Sequence, residues 1–308
     1  MSRNPGKPPA TPIPSARGRA IAALVGCAIL WSLGGILIKS ISLNAFAVSG
    51  GRSMVAVVFF IMVYGVPRRP RKPAFWGAIF AYAGTMLLFV TATKLTSAAN
   101  AILLQYTAPV FVCLFGWLLF RERLTALDLA ATALVMGGMV LFFLDGLSIS
   151  GGAARIGNLL AIGSGICFGL QAVLMRRLRL SGSSPESALT WGNLVCFAVA
   201  IPFFFVKTPT STDILLLAGM GLVQVGIAYV LYAYALKYVT SLELILIPIL
   251  EPLLNPFWVF AFRGEKPGWT VIVGGSLILA IITGWCILRG AKARAGESAH
   301  QTPGPLVI

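Results

Sequence analysis

Two stretches decide how this sequence folds: Lys94 to Glu122, KLTSAANAILLQYTAPVFVCLFGWLLFRE, and Lys237 to Glu265, KYVTSLELILIPILEPLLNPFWVFAFRGE. Fifteen positions lead from Lys94 to Pro109 and again from Lys237 to Pro252, and thirteen more lead from each proline to a glutamate. Each stretch is apolar, about as long as a bilayer is thick, and interrupted near its middle by proline, with Pro248 a second interruption in the later one. Proline withdraws a backbone hydrogen bond that lipid cannot replace, so each stretch reads as a broken membrane helix. Broken helices at matching places in two halves point to a solute site near the middle of the bilayer.

The composition agrees. Of 308 residues, 58% are hydrophobic and 11% charged, and the mean hydropathy is +0.89, which excludes an ordinary soluble domain. A net charge of +15 would suggest nucleic acid in a soluble protein. Here the basic residues fall in short gaps between apolar segments, the pattern of loops facing the cytoplasm, and no nucleic-acid partner is expected.

Windows of about 20 apolar residues give ten spans, near 20–39, 45–66, 74–93, 97–120, 125–145, 156–175, 187–206, 213–235, 242–262 and 268–288. Residues 1–18, with five prolines and scattered cations, read as a disordered cytoplasmic tail, and 289–308 as a second cytoplasmic tail. The run Ala20 to Ile38 is too long for the apolar region of a signal peptide, and its pattern recurs later, so it reads as a span. With the N-terminus inside, 17 of the 24 Lys and Arg residues lie on the cytoplasmic side, six near outer ends, and Arg52 within a span. This bias predicts a multi-pass protein of the cytoplasmic (inner) membrane with both termini in the cytoplasm.

Ten spans divide into two sets of five, 19–145 and 146–288. Each half crosses an odd number of times, so the second enters from the opposite side: the repeat is inverted. The first spans of the halves agree at a constant offset, Gly26, Ile29, Trp31, Leu33, Leu37 and Lys39 matching Gly163, Ile166, Phe168, Leu170, Leu174 and Arg176. The fold class expected is therefore an all-α integral membrane protein of two inverted five-helix repeats, an architecture that supplies two related states for alternating access.

Arg52 early in the second span and the strings LLQYTAPVFVCLFGWLLFRERLT and ILEPLLNPFWVFAFRGEKP resemble the drug/metabolite transporter superfamily, and more narrowly its ten-helix EamA-type branch. The resemblance covers roughly residues 19–288. It implies a permease of the cytoplasmic membrane that moves amino acids, other metabolites, vitamins or drugs, commonly outward. The halves differ at Glu251, which aligns with Ala108.

Several residues could form a solute or ion pathway. Glu251 lies mid-span beside Pro252, with Asn255 one turn on; a charge there is costly in lipid and usually faces a cavity, where it could carry a proton or attract an amino group. It could equally tether neighbouring helices. Glu243 is either a vestibule group or a helix-start acid favoured by the dipole. Gln105 and Tyr106, just before Pro109, offer polar groups where the broken turn exposes carbonyls, either to a cavity or to other helices. Trp31, Tyr82, Gln224 and Tyr232, with Gln171, Trp191, Asn193 and Tyr229, are polar or amphipathic groups inside spans. Their aromatic faces suit cations or flat solutes, although such residues also form interfacial belts. Arg52 could snorkel outward, bind a carboxylate or join a gating ion pair. Glu122 and Glu265 read as helix-end ion pairs.

Other chemistries lack their residues. The sequence holds no Walker A motif, no H-E-x-x-H and no G-x-S-x-G, and His300, the only histidine, lies in the C-terminal tail, so neither nucleotide hydrolysis nor enzymatic catalysis is expected. Cys27, Cys113, Cys167, Cys196 and Cys286 sit in apolar runs without metal-ligand spacing and read as small core residues. No cofactor or metal is expected. The partners expected are a small-molecule solute, with a proton as candidate coupling ion, and the lipid bilayer. The alternative is a lipid-handling or scaffold membrane protein.

Overall fold

A computed structural model of the chain describes residues 14–121, 124–144, 151–254, 258 and 268–301. Asn255, Glu122, Glu265, residues 1–13 and residues 302–308 lie outside the described residues. Among the described residues the structure is helical, and nine helices are long and apolar enough to cross a membrane. The expected span at 242–262 is described only to Leu254 and at Trp258.

Most spans start where a short polar side chain caps the helix. Asn44 accepts from the Ala47 amide at the start of α3 (Ala45–Tyr64), and Ser97 from Asn100 at the start of α5 (Ala98–Gln105). Thr125 with Asp128 forms a capping box on α7 (Ala126–Phe143), and Ser184 caps α9 (Pro185–Ala200). Thr210 with Asp213 caps α10 (Ser211–Gly219) in the same reciprocal way. Each cap satisfies amides that the first turn leaves without partners.

Three spans are broken. The first divides into α1 (Pro14–Ser32) and α2 (Gly34–Ser40). The fourth divides into α5 and α6 (Ala108–Phe120), with turn residues Tyr106 and Thr107 just ahead of Pro109. Later, α12 (Glu243–Leu246) passes into a tight 3₁₀ turn, Ile247–Ile249, around Pro248 before helix resumes at residues 250–254 with Pro252 in its first turn. Pro248 thus lies in an interruption, and Pro109 and Pro252 lie in the first turns of the helices that follow one. The break at Leu33 has no proline. It is a place of close approach: a Cβ on Gly34 would lie 1.9 Å from Gln224 Nε2.

The span from Ser211 to Ala235 contains a wide π-helical segment, Met220–Ile227, between α10 and α11 (Ala228–Ala235). The remaining long helices are α4 (Pro73–Leu95), α8 (Gly152–Leu180) and α13 (Trp269–Gln301). Helix extends further than expected at both ends. Pro14 opens α1, where its missing N–H costs nothing, so residues 14–18 are helical rather than tail. α13 likewise continues through the alanine-rich segment after Arg289 to Gln301, as alanine's helix propensity favours.

Helix contacts follow a pattern of exchange between the halves. α4 packs on α8, and α1 on α11; α5 and α6 pack on α8, and α1 on the Ile247–Ile249 turn; α4 packs on α9, and α3 on the π segment. α3 with α9 and α7 with α13 close the set. Small residues permit these approaches: a Cβ on Gly165 would lie 2.7 Å from the Gln105 carbonyl, and one on Gly274 2.6 Å from the Phe142 amide. The outward faces are apolar, with Val58, Phe80, Leu118, Leu134, Leu159 and Leu215 exposed, as lipid contact demands.

One end, where α1 begins, is tied by charge. Arg17 pairs with Glu243; Arg289 reaches Asp128 Oδ1 at 3.3 Å and Thr240 Oγ1 at 3.2 Å; and Trp285 donates to Asp128 at 3.0 Å. At the opposite end lysines donate to backbone carbonyls, Lys39 to Thr96 at 2.8 Å and Lys94 to Ile41 at 2.6 Å. There Asp213 also accepts from the Ser42 amide and hydroxyl, each at 2.8 Å.

Candidate functional site

Polar residues inside apolar spans must find partners or a wet space. Several converge on one internal cavity with about 40 Å³ open to the centres of water molecules. Its lining comes from both halves: Trp31, Arg52, Thr85, Met86, Phe89 and Gln105 from the first, and Phe168, Gln224, Val225, Tyr229 and Glu251 from the second. Every lining residue is buried.

Arg52 is 3% exposed, so it does not snorkel outward. The reason is geometric. It lies on the face of α3 that packs against the π segment, where Nη1 donates to Gln224 Oε1 at 3.3 Å and Nη2 contacts Met86 Sδ at 3.4 Å. A guanidinium has five N–H donors, thioether sulfur is a weak acceptor, and among the described residues Arg52 Nε has no partner. Among the described residues no carboxylate pairs with it. The cavity therefore contains a buried cation whose hydrogen bonding is unfinished.

Glu251, 7% exposed, stands just past the 3₁₀ turn. Tyr106, at the break of the other half, places its hydroxyl 2.8 Å from Glu251 Oε2 and 2.7 Å from the Pro248 carbonyl. One phenolic group thus joins the two broken helices. It carries one proton and faces two acceptors; a proton on Glu251 completes the set, since the carboxyl can then donate to the phenol while the phenol donates to Pro248. Among the described residues Glu251 makes no ion pair, with Arg52 or any other cation.

Aromatic rings form one wall. Trp31 lies 5.2 Å from Tyr229 and 5.9 Å from Phe168 between ring centroids, in tilted and edge-on arrangements that aromatic quadrupoles favour. Tyr82 and Tyr232 back this wall without lining it, Tyr82 5.0 Å and Tyr232 5.6 Å from Tyr229. Asn193 holds the Tyr82 hydroxyl at 2.9 Å. Gln105 is fixed by Ser164 Oγ at 2.8 Å, which in turn donates to the Thr85 carbonyl at 3.0 Å. Gln224 also donates to the Trp31 carbonyl at 3.3 Å, in the gap opened by the break in the first span.

The structure therefore brings Trp31, Arg52, Gln105, Gln224 and Glu251 to one cavity and Tyr106 to its edge. Glu243 does not line this cavity: it accepts from the Thr240 amide at 2.7 Å, donates its own amide to Thr240 Oγ1 at 3.3 Å and pairs with Arg17, the contacts of a helix-start acid. Trp191 donates to the Arg68 carbonyl at the end of the bundle, 2.9 Å away. Sequence reasoning did not single out Thr85, Met86, Phe89, Phe168 or Val225. Only Phe168 carried a usable signal, as the partner of Trp31 between the halves.

Known proteins share the family and the fold. An uncharacterized transporter of Archaeoglobus fulgidus is 27% identical over 218 residues, spanning 70% of this chain and 77% of the relative. Solute carrier family 35 member G1 of Mus musculus is 23% identical over 314 residues, spanning 93% of this chain and 84% of the relative. A solved crystal structure shares the fold with a TM-score of 0.74 at 19% identity, over 88% of this chain and 98% of its own. The sequence matches the EamA-like transporter family over residues 18–144 and 155–285, and this multi-pass membrane chain belongs to that family.

Proposed function

We propose that the chain is a non-enzymatic permease that carries a small organic solute through this cavity by alternating access, exporting an amino acid or a related metabolite. The observation that carries the reading is one cavity in which, among the described residues, the Arg52 guanidinium is unfinished and the Glu251 carboxyl group makes no ion pair. A zwitterion presents a carboxylate to the first and an ammonium to the second, and an aromatic wall accommodates its apolar part. Every residue that lines the cavity is buried, so in this reading loading requires the walls to part.

The proposed architecture is ten spans in two inverted halves, 19–145 and 146–288. Support comes from the matching broken helices and from contacts that interchange when the halves are exchanged. In this reading Tyr106 couples the two breaks, so that a change at Glu251 reaches both halves. Glu251 is the proposed proton carrier, with one proton exchanged per solute. The proposed location is the cytoplasmic membrane with both termini inside, as the distribution of Lys and Arg favours.

Counterflow in proteoliposomes loaded with mixed amino acids, metabolites and cationic dyes tests the reading. Selective exchange of amino acids is the expected result. Absence of exchange from folded protein would refute it and favour a lipid-handling or scaffold role.

A further inference from the structure

The loop between α3 and α4 carries Arg68, Arg69, Arg71 and Lys72 within five positions, all exposed. Such a run is usually a solvated loop, but here the backbone is held. Pro67, Pro70 and Pro73 fix three φ angles. The Arg68 amide donates to Ser187 Oγ at 3.0 Å, and its carbonyl accepts from Trp191 Nε1 at 2.9 Å. Both contacts come from α9, so the loop is anchored on a membrane helix of the other half.

The four cations surround a cavity of about 440 Å³ whose opposite side is the turn carrying Ser183 and Ser184. Among the described residues none of the four makes an ion pair. The adjacent acid, Glu186, is already taken by Arg179 and by Ser184, 3.0 Å away. Four like charges held around a hollow repel one another, and an anion relieves that repulsion. The matching loop of the other half, 206–210, carries only Lys207, so the cluster marks one end of the molecule.

The position selects the kind of anion. The loop joins the end of one span at Tyr64 to the start of the next at Pro73, and therefore lies at headgroup depth. Beside it, Met62 and Val66 are 79% and 85% exposed, and Trp76, stacked 6.0 Å from Phe80, is 46% exposed. Apolar surface next to four cations suits a molecule with an anionic head and an acyl chain.

We propose that this pocket is a binding site for the phosphate-bearing headgroup of an anionic phospholipid. The phosphate sits among Arg68, Arg69, Arg71 and Lys72, with the Ser183 hydroxyl as a further donor, and the acyl chain runs along Trp76 and Phe80. The lipid thereby bridges the α3–α4 loop and the α8–α9 turn, one from each half.

The test uses the full chain in mixed micelles holding equal amounts of phosphatidylglycerol and phosphatidylcholine, with lipid retained through purification measured by native mass spectrometry. The expected result is at least a five-fold excess of phosphatidylglycerol, falling with added salt. Arg68→Gln/Arg69→Gln/Arg71→Gln/Lys72→Gln abolishes the excess, while Arg68→Lys/Arg69→Lys/Arg71→Lys keeps it. The backbone anchors at Arg68 do not depend on its side chain, so the melting temperature of the Gln variant stays near that of the parent. Should that variant fail to fold, Arg69→Gln/Arg71→Gln takes its place, with a halved or smaller excess expected. Equal retention of the two lipids by the parent chain, or an excess unchanged in the Gln variant, overturns the proposal. Displacement of phosphatidylglycerol by an equimolar amount of soluble glycerol phosphate also overturns it, since the ligand would then be a free phosphate compound.

Discussion

Glu251→Gln separates moving a solute from concentrating it. Among the described residues Glu251 is the only acid that lines the cavity, so the proposed cycle exchanges one proton, and its charge, for one net-neutral zwitterion. One charge moving through 100 mV releases about 2.3 kcal/mol. At about 1.36 kcal/mol per tenfold, that is a limiting accumulation of roughly 50-fold. Glutamine keeps the shape and the contact to Tyr106, now 2.8 Å, and resembles the protonated acid, so the change in stability stays below about 1 kcal/mol. It cannot release a proton. Proteoliposomes with a 100 mV potassium diffusion potential and labelled solute provide the assay. The parent chain concentrates solute toward the 50-fold limit, whereas the variant, without the carboxylate that faces the ammonium, exchanges solute in counterflow only at raised solute concentration and stops at equal concentrations. A Glu251→Gln protein that concentrates solute as the parent does refutes Glu251 as the proton carrier.

Tyr106→Phe removes the hydroxyl shared by Glu251 and the Pro248 carbonyl; melting in detergent should show a loss of about 1 kcal/mol, and counterflow should slow while solute affinity is kept. Arg52→Gln should raise the half-saturation concentration for an amino acid by about ten- to hundred-fold in uptake assays, and leave that for the amine lacking the carboxylate nearly unchanged. Gly34→Ala would place a Cβ 1.9 Å from Gln224 Nε2, so the Gln224 amide must move off its bonds to Arg52 and the Trp31 carbonyl, which should cost about 1–3 kcal/mol, read as a lower melting temperature. Gly137→Ala, which meets nothing within 4 Å, is the matched control and should melt like the parent.

The membrane class, the helical architecture and the breaks near Pro109 and Pro248 were legible because they depend on local chemistry: length of apolar run, proline and caps. Glu251 was legible because a carboxyl group in mid-span is rare and needs a reason. Arg52 was readable in two ways, since a long side chain near a span end can reach out or in, and only packing against the π segment decides which. Glu243 carries the same charge as Glu251 eight positions away, yet it is capped by Thr240 and paired with Arg17, away from the cavity. The apolar part of the cavity wall was not legible. Met86, Phe89 and Val225 differ in no local respect from the many apolar residues that face lipid.

The π segment has a consequence for what this span tolerates. Gln224 and Tyr229 both line the cavity although five positions separate them. At about 3.6 residues per turn, an α-helix would point them roughly 140° apart. A π turn, bonded from i to i+5, brings residues five apart back onto one face. The register therefore stores one extra residue between α10 and α11. Deleting any single residue from Met220–Ile227 would let the span relax to an ordinary α-helix and swing Tyr229 about 100° around the axis, away from Trp31. Chain length, more than side-chain identity, is what this part of the wall must keep constant.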